Sequence, residues 1–578
     1  MTTTGTPAVR TRDAASKSEV LSVGRAAALS AVLVCAGTGM GFVRDLLLAH
    51  HFGAGPSTDA FLVSWTVPET VSPLLIEDAM ALIMVPVVTR AMLRPNGVSR
   101  LARRVAPRLV LVLALLSATV MLLAPWLVRI AAPGVHQASA VTCLRLTAVT
   151  VLTFGVTGFM SATLRPHHRF GPPAAIYLAY NIGILAMLLT LAHSWGITSA
   201  ALGVACGSLF MVLVQLPAFV RVLRRDRGAA PDRAARPHTE QARAAARVEA
   251  RHVQIAAAAP VVTFTLVRQS QVLVERFFGS SLPEGTISHL NYAQKVAQVP
   301  MMLALLVATV TFPRLVRAHL DDDAGRLRRR IEGDLTVVAL LIIAAVAYLW
   351  TFAPLITRVM FQHGEFTHAD SVSTARILRV YSLGLLAQCA LGVSVRALSA
   401  GRRPSWRTPL AMAAGLTVTF TVAALFSASR GAGALAAGNA LGISVAAVLQ
   451  LVTVRRKVAP IRFGLLGRRL LVTAGCAVAA GFAADRATRL VAGHAAPIVR
   501  LLVGGVVLLA VMAAALAVAA LVTGAFRDLR GGTAGPDAAA PPDAPQARTD
   551  GTGRTGGTDE AGSAPPAGSL PAMRRVNG

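Results

Sequence analysis

The chain has 578 residues, is 54% hydrophobic with a mean hydropathy of +0.60, and gives only 14% of its positions to charged types, far below the ~25% of a soluble domain. A formal net charge of +29 would point to nucleic acid in a soluble protein, but here the arginines fall in short segments between apolar runs, where they act as topology signals. Composition therefore argues against a soluble enzyme or a nucleic-acid-binding domain and for an all-α polytopic membrane protein.

Residues 1–24 are polar and lack the charged start, short apolar run and cleavage site of a secretory signal, so they are expected to stay cytoplasmic. Windows of ~20 apolar residues, the length that crosses a hydrocarbon core, begin near Ala26, Ala60, Leu109, Ala140, Pro173 and Ser199, giving an N-lobe of six spans over 25–224. A basic segment, 225–252, is expected to link it to a second lobe of six spans over 253–457, with windows from Val253, Ile287, Leu335, Ser373, Leu410 and Ala434. Two further windows, from Leu470 and Leu501, occupy 458–526 and bring the expected count to about fourteen. Residues 527–578, rich in Gly, Pro, Ala and Asp with no apolar period, have the composition of a disordered tail.

The connections alternate. Arginine-rich ones hold Arg90 to Arg108, Arg165 and Arg169, Arg221 to Arg251, Arg314 to Arg330, Arg402 to Arg407 and Arg455 to Arg469. Arginine-poor turns such as "HHFGAGPSTD", "AHSWGITSA" and "SSLPEGTIS" lie between them. Arginine concentrates on the cytoplasmic side of short loops, so fourteen spans with both termini cytoplasmic fit the alternation.

Within this greasy chain some spans carry charge. The first reads "GFVRDLLLAHHFGAG", with Arg44 and Asp45 adjacent in an apolar helix and Gly37 and Gly41 on the Arg44 side, leaving room for a neighbour or ligand. The second has Glu69 and Glu77 eight residues apart, with Pro68 and Pro73 interrupting its backbone. In the seventh, Thr265, Arg268, Gln271 and Glu275 recur at helical spacing, and in the eighth Ser288, Asn291, Lys295 and Gln298 do so. A charge at the bilayer centre costs ~2.5–3.5 kcal/mol even on lenient scales, so each needs a partner or a task. These charges either pair inside the bundle, Arg44 with Glu77 or Lys295 with Glu275, or line a water-filled, net cationic cavity. Four helices sharing the pattern favour the cavity, and clustered Arg and Lys suit phosphate or diphosphate.

Enzyme readings find no support. There is no HExxH, GxSxG or Walker motif and no paired carboxylates on a soluble domain. Cys35, Cys143, Cys206, Cys389 and Cys476 are scattered without CxxC or metal-ligand spacing and read as small buried hydrophobes. His50, His51, His167 and His168 fall at span ends and read as interfacial. No catalytic residue, metal or cofactor is expected.

The stretch "GFVRDLLLAHHFGAGPSTDAFLVSWTVPE" resembles the signature of the MurJ/MviN lipid II flippases of the MOP exporter superfamily, through Arg44, Asp45, Gly53, Gly55, Asp59, Phe61 and Pro68. Further similar segments follow in order: "LLAPWLVRIAAPG", "HRFGPP" with Asn181 beyond it, "LPEGTISHLNYAQKVAQVP", "MFQHGEFTHAD" and Arg407-Thr408-Pro409. The resemblance implies a multi-pass protein of the bacterial cytoplasmic membrane that flips a polyprenyl-diphosphate-linked peptidoglycan precursor by alternating access, driven by a coupling cation, Na+ or H+, or by the membrane potential. It implies an undecaprenyl-diphosphate type of substrate among membrane lipids, and cell-wall synthesis proteins as partners. Resemblance and stripes together nominate Arg44, Arg268, Lys295 and Asn291 for the diphosphate, Asp45, Asp59 and Glu77 as gating or charge partners, and Glu275 for a cation. The chain departs from the family pattern in four places: Ser72 and Pro73 stand where the family usually has a pair of arginines, Lys295 stands at an arginine position, and Thr38 stands where an arginine is often found. A paralogue moving another lipid-linked glycan or amphipathic metabolite, and a non-transporting scaffold for envelope synthesis, therefore stand as alternatives.

Overall fold

The computed structural model describes residues 8–228, 240–320, 324–399, 405–491 and 494–523. Every regular element among them is helical. In chain order the N-terminal part comprises α1 (Ala8–Phe52), α2 (Pro56–Ser72), a π-helical turn (Pro73–Asp78), α3 (Ala79–Met92), α4 (Gly97–Leu122), α5 (Ala124–Ala131), α6 (Gln137–Thr147), α7 (Val149–Leu164), a 3-10 turn (Arg165–His167), α8 (Gly171–Ala174), α9 (Ile176–Trp195) and α10 (Thr198–Gly228). The remainder comprises α11 (Glu240–Gly279), α12 (Thr286–Leu320), α13 (Ala324–Phe361), α14 (His368–Leu383), α15 (Leu385–Ser399), α16 (Arg407–Arg430), α17 (Ala432–Lys457), α18 (Phe463–Val491) and α19 (Pro497–Thr523).

Among the described residues, twelve helical stretches are long and apolar enough to cross a membrane. The expected fourteen is not reached by that measure. The other two expected spans correspond to α11 and α12, helices of 40 and 35 residues that carry the polar stripes. Helical backbone is the only open-chain solution in hydrocarbon, because it satisfies each N–H and C=O within the segment. The outward faces match that solvent: Leu111, Trp126, Phe482, Leu502 and Val506 remain mostly exposed.

Several boundaries shift from the sequence reading. Helix α1 begins at Ala8, inside the segment expected to precede the first span, and helix covers 225–228 and 240–252 of the expected linker. Residues 229–239 and the expected tail from 527 lie outside the described residues. The second span was expected to be interrupted at Pro68 and Pro73; α2 runs helical through Pro68, and only at Pro73 does it pass into the π turn, a rare geometry that concentrates at functional positions.

Two main cores form. Phe61, Trp65, Phe154, Tyr180 and Ile184 centre the N-lobe, while Tyr292, Phe352, Phe361, Phe366 and Tyr381 centre the C-lobe. Helices α18 and α19 pack together and against α13, so the last two helices share the C-lobe core. At one end the lobes exchange side chains: Ala49 of α1 joins the C-lobe core, and Ile287 of α12 joins the N-lobe core. That end carries the arginine-poor turns.

Candidate functional site

Arg44 answers its own desolvation locally. Its Nε and a terminal nitrogen donate to Asp45 Oδ1 at 3.0 and 2.7 Å, another donates to Asn181 Oδ1 at 3.1 Å, and the guanidinium lies 4.5 Å above the Trp65 ring. A bonded pair over an aromatic face is the arrangement in which a buried arginine is tolerated. The partner is thus Asp45, and Glu77 instead accepts the Tyr177 hydroxyl at 2.5 Å. The room expected beside Gly37 and Gly41 is filled by α9: a Cβ on Gly37 would come within 3.0 Å of Tyr177, and one on Gly41 within 3.3 Å of the Asn181 amide. Those glycines admit a helix.

The second converging group spans both lobes. Glu69 Oε1 of α2 lies 3.8 Å from Lys295 Nζ of α12, its other carboxylate oxygen is buried without a hydrogen-bond partner, and its carbonyl accepts from Gln269 of α11 at 2.7 Å. Lys295 therefore pairs with Glu69, whereas Glu275 lies elsewhere. Below it, the π turn aims Glu77 and Asp78 toward α11, where the Thr265 hydroxyl donates to Asp78. The Arg268 side chain stands in the field of both carboxylates and is exposed. The cations expected to face a cavity thus have carboxylates close by: Arg44 bonds Asp45, Lys295 pairs with Glu69, and Arg268 lies in the field of Glu77 and Asp78.

The arginine-poor end is sealed. Asp59, in the first turn of α2 and almost fully buried, accepts from Gly285 N at 2.8 Å, Ser288 N at 2.7 Å and Ser288 Oγ at 2.6 Å. One lobe thus supplies the capping carboxylate for the first turn of α12 in the other, where unpaired N–H groups and the helix dipole favour an anion. Beside it Glu365 N donates to His50 O at 3.0 Å. Gly285, at φ +82, would bring a Cβ to 2.5 Å from the Ala54 carbonyl. Asn291 is not part of the accessible cavity: it is 3% exposed and its amide oxygen accepts from Arg276 at 3.4 Å, while Arg276 also donates to Ile287 O at 3.2 Å.

Glu275 is held apart in the C-lobe, 4% exposed, accepting from Tyr381 Oη at 2.5 Å and from Asn439 Nδ2. Three oxygen-bearing side chains from α11, α14 and α17 meet there. Among the described residues no group of three or more His, Cys, Asp or Glu could hold a metal ion, and all five cysteines are free.

Sequence reasoning missed Asp78, Asn181, Tyr177, Tyr381 and Asn439 as members of these groups. Asp78 had a visible signal, a carboxylate next to Glu77 after a helix-breaking proline, whereas the tyrosines and asparagines look unexceptional until packing brings them to a charge.

A family profile described as lipid II flippase MurJ matches residues 48–526. The chain belongs to that family. Similar relatives include the lipid II flippase MurJ of Burkholderia cenocepacia, 26% identical over 389 residues that cover 65% of this chain and 73% of the relative. The probable lipid II flippase MurJ of Rhizobium meliloti is 28% identical over 399 residues, covering 66% and 71%. Among solved structures, a lipid II flippase MurJ in an inward closed conformation superposes with a TM-score of 0.68 at 18% identity, covering 87% of this chain and 99% of that one. An inward-facing MATE transporter of the MOP superfamily gives 0.59 at 12% identity, covering 75% and 96%. At those identities the structures speak to the fold: this is the helical architecture shared by that MurJ and the MATE transporter, in a multi-pass membrane protein.

Proposed function

We propose that this chain flips a polyprenyl-diphosphate-linked peptidoglycan precursor, lipid II, across the cytoplasmic membrane. The observation that carries the reading is the ion pair of Lys295 with Glu69 across the lobe interface, with Arg268 in the field of Glu77 and Asp78 beside it and Asp59 joining the two sides at one end. Carboxylates hold the cations while the cavity is empty. An entering diphosphate takes over those cations with charge-assisted contacts, and the released carboxylates no longer tie α2 to α11 and α12. Substrate binding and loosening of the lobe interface are then one event, as alternating access requires.

With the arginine-rich loops cytoplasmic, both termini lie inside and the sealed end faces outward, so this arrangement opens to the cytoplasm, where the precursor is made. Residues 25–224 act as one lobe and 253–457 as the other, with 458–526 attached to the second. No cofactor is required. Glu275 with Tyr381 and Asn439 is the candidate site for a coupling cation, Na+ or H+, and Glu275→Gln should abolish any dependence of transport on that ion's gradient. Cell-wall synthesis enzymes that consume the flipped precursor are the expected partners.

A second reading, another lipid-linked glycan as cargo, draws on Ser72, whose hydroxyl faces Tyr177 at 3.3 Å and adds no charge where the family usually has arginine. Complementation of a strain depleted of its own lipid II flippase tests both. Growth with normal cell shape supports lipid II; lysis despite confirmed membrane expression sinks it in favour of the other cargo.

A further inference from the structure

A cavity of about 230 Å³, walled by both apolar and polar side chains with Pro354, Leu355 and Val372 among them, lies where the end of α13, the start of α14 and the start of α19 meet. It is lined by Arg358, Gln362, His368, Ser371 and Arg500, with no carboxylate among its lining residues. Three polar atoms in this wall, Gln362 Oε1, Ser371 Oγ and Arg500 Nε, are buried and have no hydrogen-bond partner, and Ser371 is only 3% exposed. Buried polar groups are nearly always satisfied, and leaving one unpaired costs ~1–3 kcal/mol, so three such atoms on the side chains around one cavity mark hydrogen-bonding capacity that the protein itself does not use. Two guanidinium groups ask for an anion. The Gln362 oxygen asks for a donor, and the Ser371 hydroxyl serves either role.

We propose that this cavity binds a phosphate group carrying a neighbouring hydroxyl, as in a glycerophosphate headgroup. Its volume is below the roughly 300–1,000 Å³ of pockets that enclose a whole drug-sized ligand, which suits a headgroup whose acyl chains remain outside. The cavity opens at helix ends, and its rim carries the apolar side chains Val372, Ile498, Val499 and Leu502, exposed by 36–65%. Arginines beside an apolar surface bury their stems and hold their guanidinium groups at headgroup depth, the level at which a lipid phosphate lies. A phosphate there bonds Arg500 of α19 to Arg358 of α13 and so fastens the last helix to the C-lobe.

The test measures the thermal stability of purified full-length protein in detergent against increasing phosphatidylglycerol, phosphatidylcholine or glycerol 3-phosphate. Phosphatidylglycerol should raise the melting temperature more than phosphatidylcholine, with apparent affinity weakened about tenfold in Arg358→Gln and in Arg500→Gln and several-fold in Ser371→Ala. An equally strong, arginine-dependent response to glycerol 3-phosphate would place a free phosphate in the same contacts. Equal responses to the two lipids, or wild-type affinity in the arginine variants, would overturn the proposal. Arg358 is exposed, so its variant remains informative if Arg500→Gln fails to fold.

Discussion

Glu69 and Lys295 stand 3.8 Å apart on opposite lobes, each side chain 19% exposed. A pair at that distance, with one carboxylate oxygen left unbonded, is held loosely enough to be exchanged for a better anion. Lys295→Ala should remove a charge-assisted contact of roughly 1.5–3 kcal/mol from the bound substrate, which is about 10- to 150-fold in affinity for a lipid-linked diphosphate. Lys295→Arg should retain or improve binding, since a guanidinium offers a bidentate fork. Affinity measured on purified protein by native mass spectrometry checks the order.

Arg44 is expected to act first on folding. Arg44→Ala strands Asp45, 4% exposed, and breaking a buried pair by removing one partner costs ~3–5 kcal/mol. The extracted yield of Arg44→Ala should therefore fall and that of Arg44→Ala with Asp45→Asn should recover, whereas adding Glu77→Gln should not rescue it. Transport per folded molecule in the rescued protein then measures what Arg44 contributes to substrate.

Asp59→Ala removes the acceptor for Gly285 N, Ser288 N and Ser288 Oγ. At ~0.5–2 kcal/mol for a lost helix cap, the balance between sealed and open should move roughly 2- to 30-fold toward open. Spin labels on α2 and α12 at the arginine-poor end should report the longer distance population growing by that factor.

Gly285→Ala should act in the same direction by a different route. Its φ of +82 is strained for alanine and its Cβ would press on the Ala54 carbonyl, at a cost of roughly 1–2 kcal/mol for the backbone alone. The same distance measurement should show the sealed population reduced, with helix content by circular dichroism unchanged.

The fold was legible because hydrocarbon imposes a single rule on the backbone, so apolar windows and arginine-rich loops mark the helices without any alignment. Lys295 and Glu69 could each be flagged as charges in need of a partner. Their pairing could not be foreseen, because it depends on how α2 and α12 cross between lobes. Arg44 shows the same limit from the other side: its sequence offers Asp45 next to it and Glu77 across the bundle as charge partners, and only the packing decides for Asp45. Gly37 and Gly41 signal close approach equally well for a ligand or a helix, and only the position of α9 decides. Asn291 shares a stripe with Lys295, yet it is buried and taken up by Arg276, a contact that the spacing alone does not reveal.

The cap that Asp59 gives to α12 also sets what must happen when the seal breaks. The amide groups of Gly285 and Ser288 are satisfied in the closed arrangement only by a carboxylate belonging to the other lobe. As the lobes separate, water must take its place, on the amides and on the carboxylate alike, or the orphaned groups oppose the motion. Opening at this end is thus a hydration step, and its equilibrium is tied to water activity. Excluded osmolytes, which penalise newly wetted surface, should hold the transporter shut.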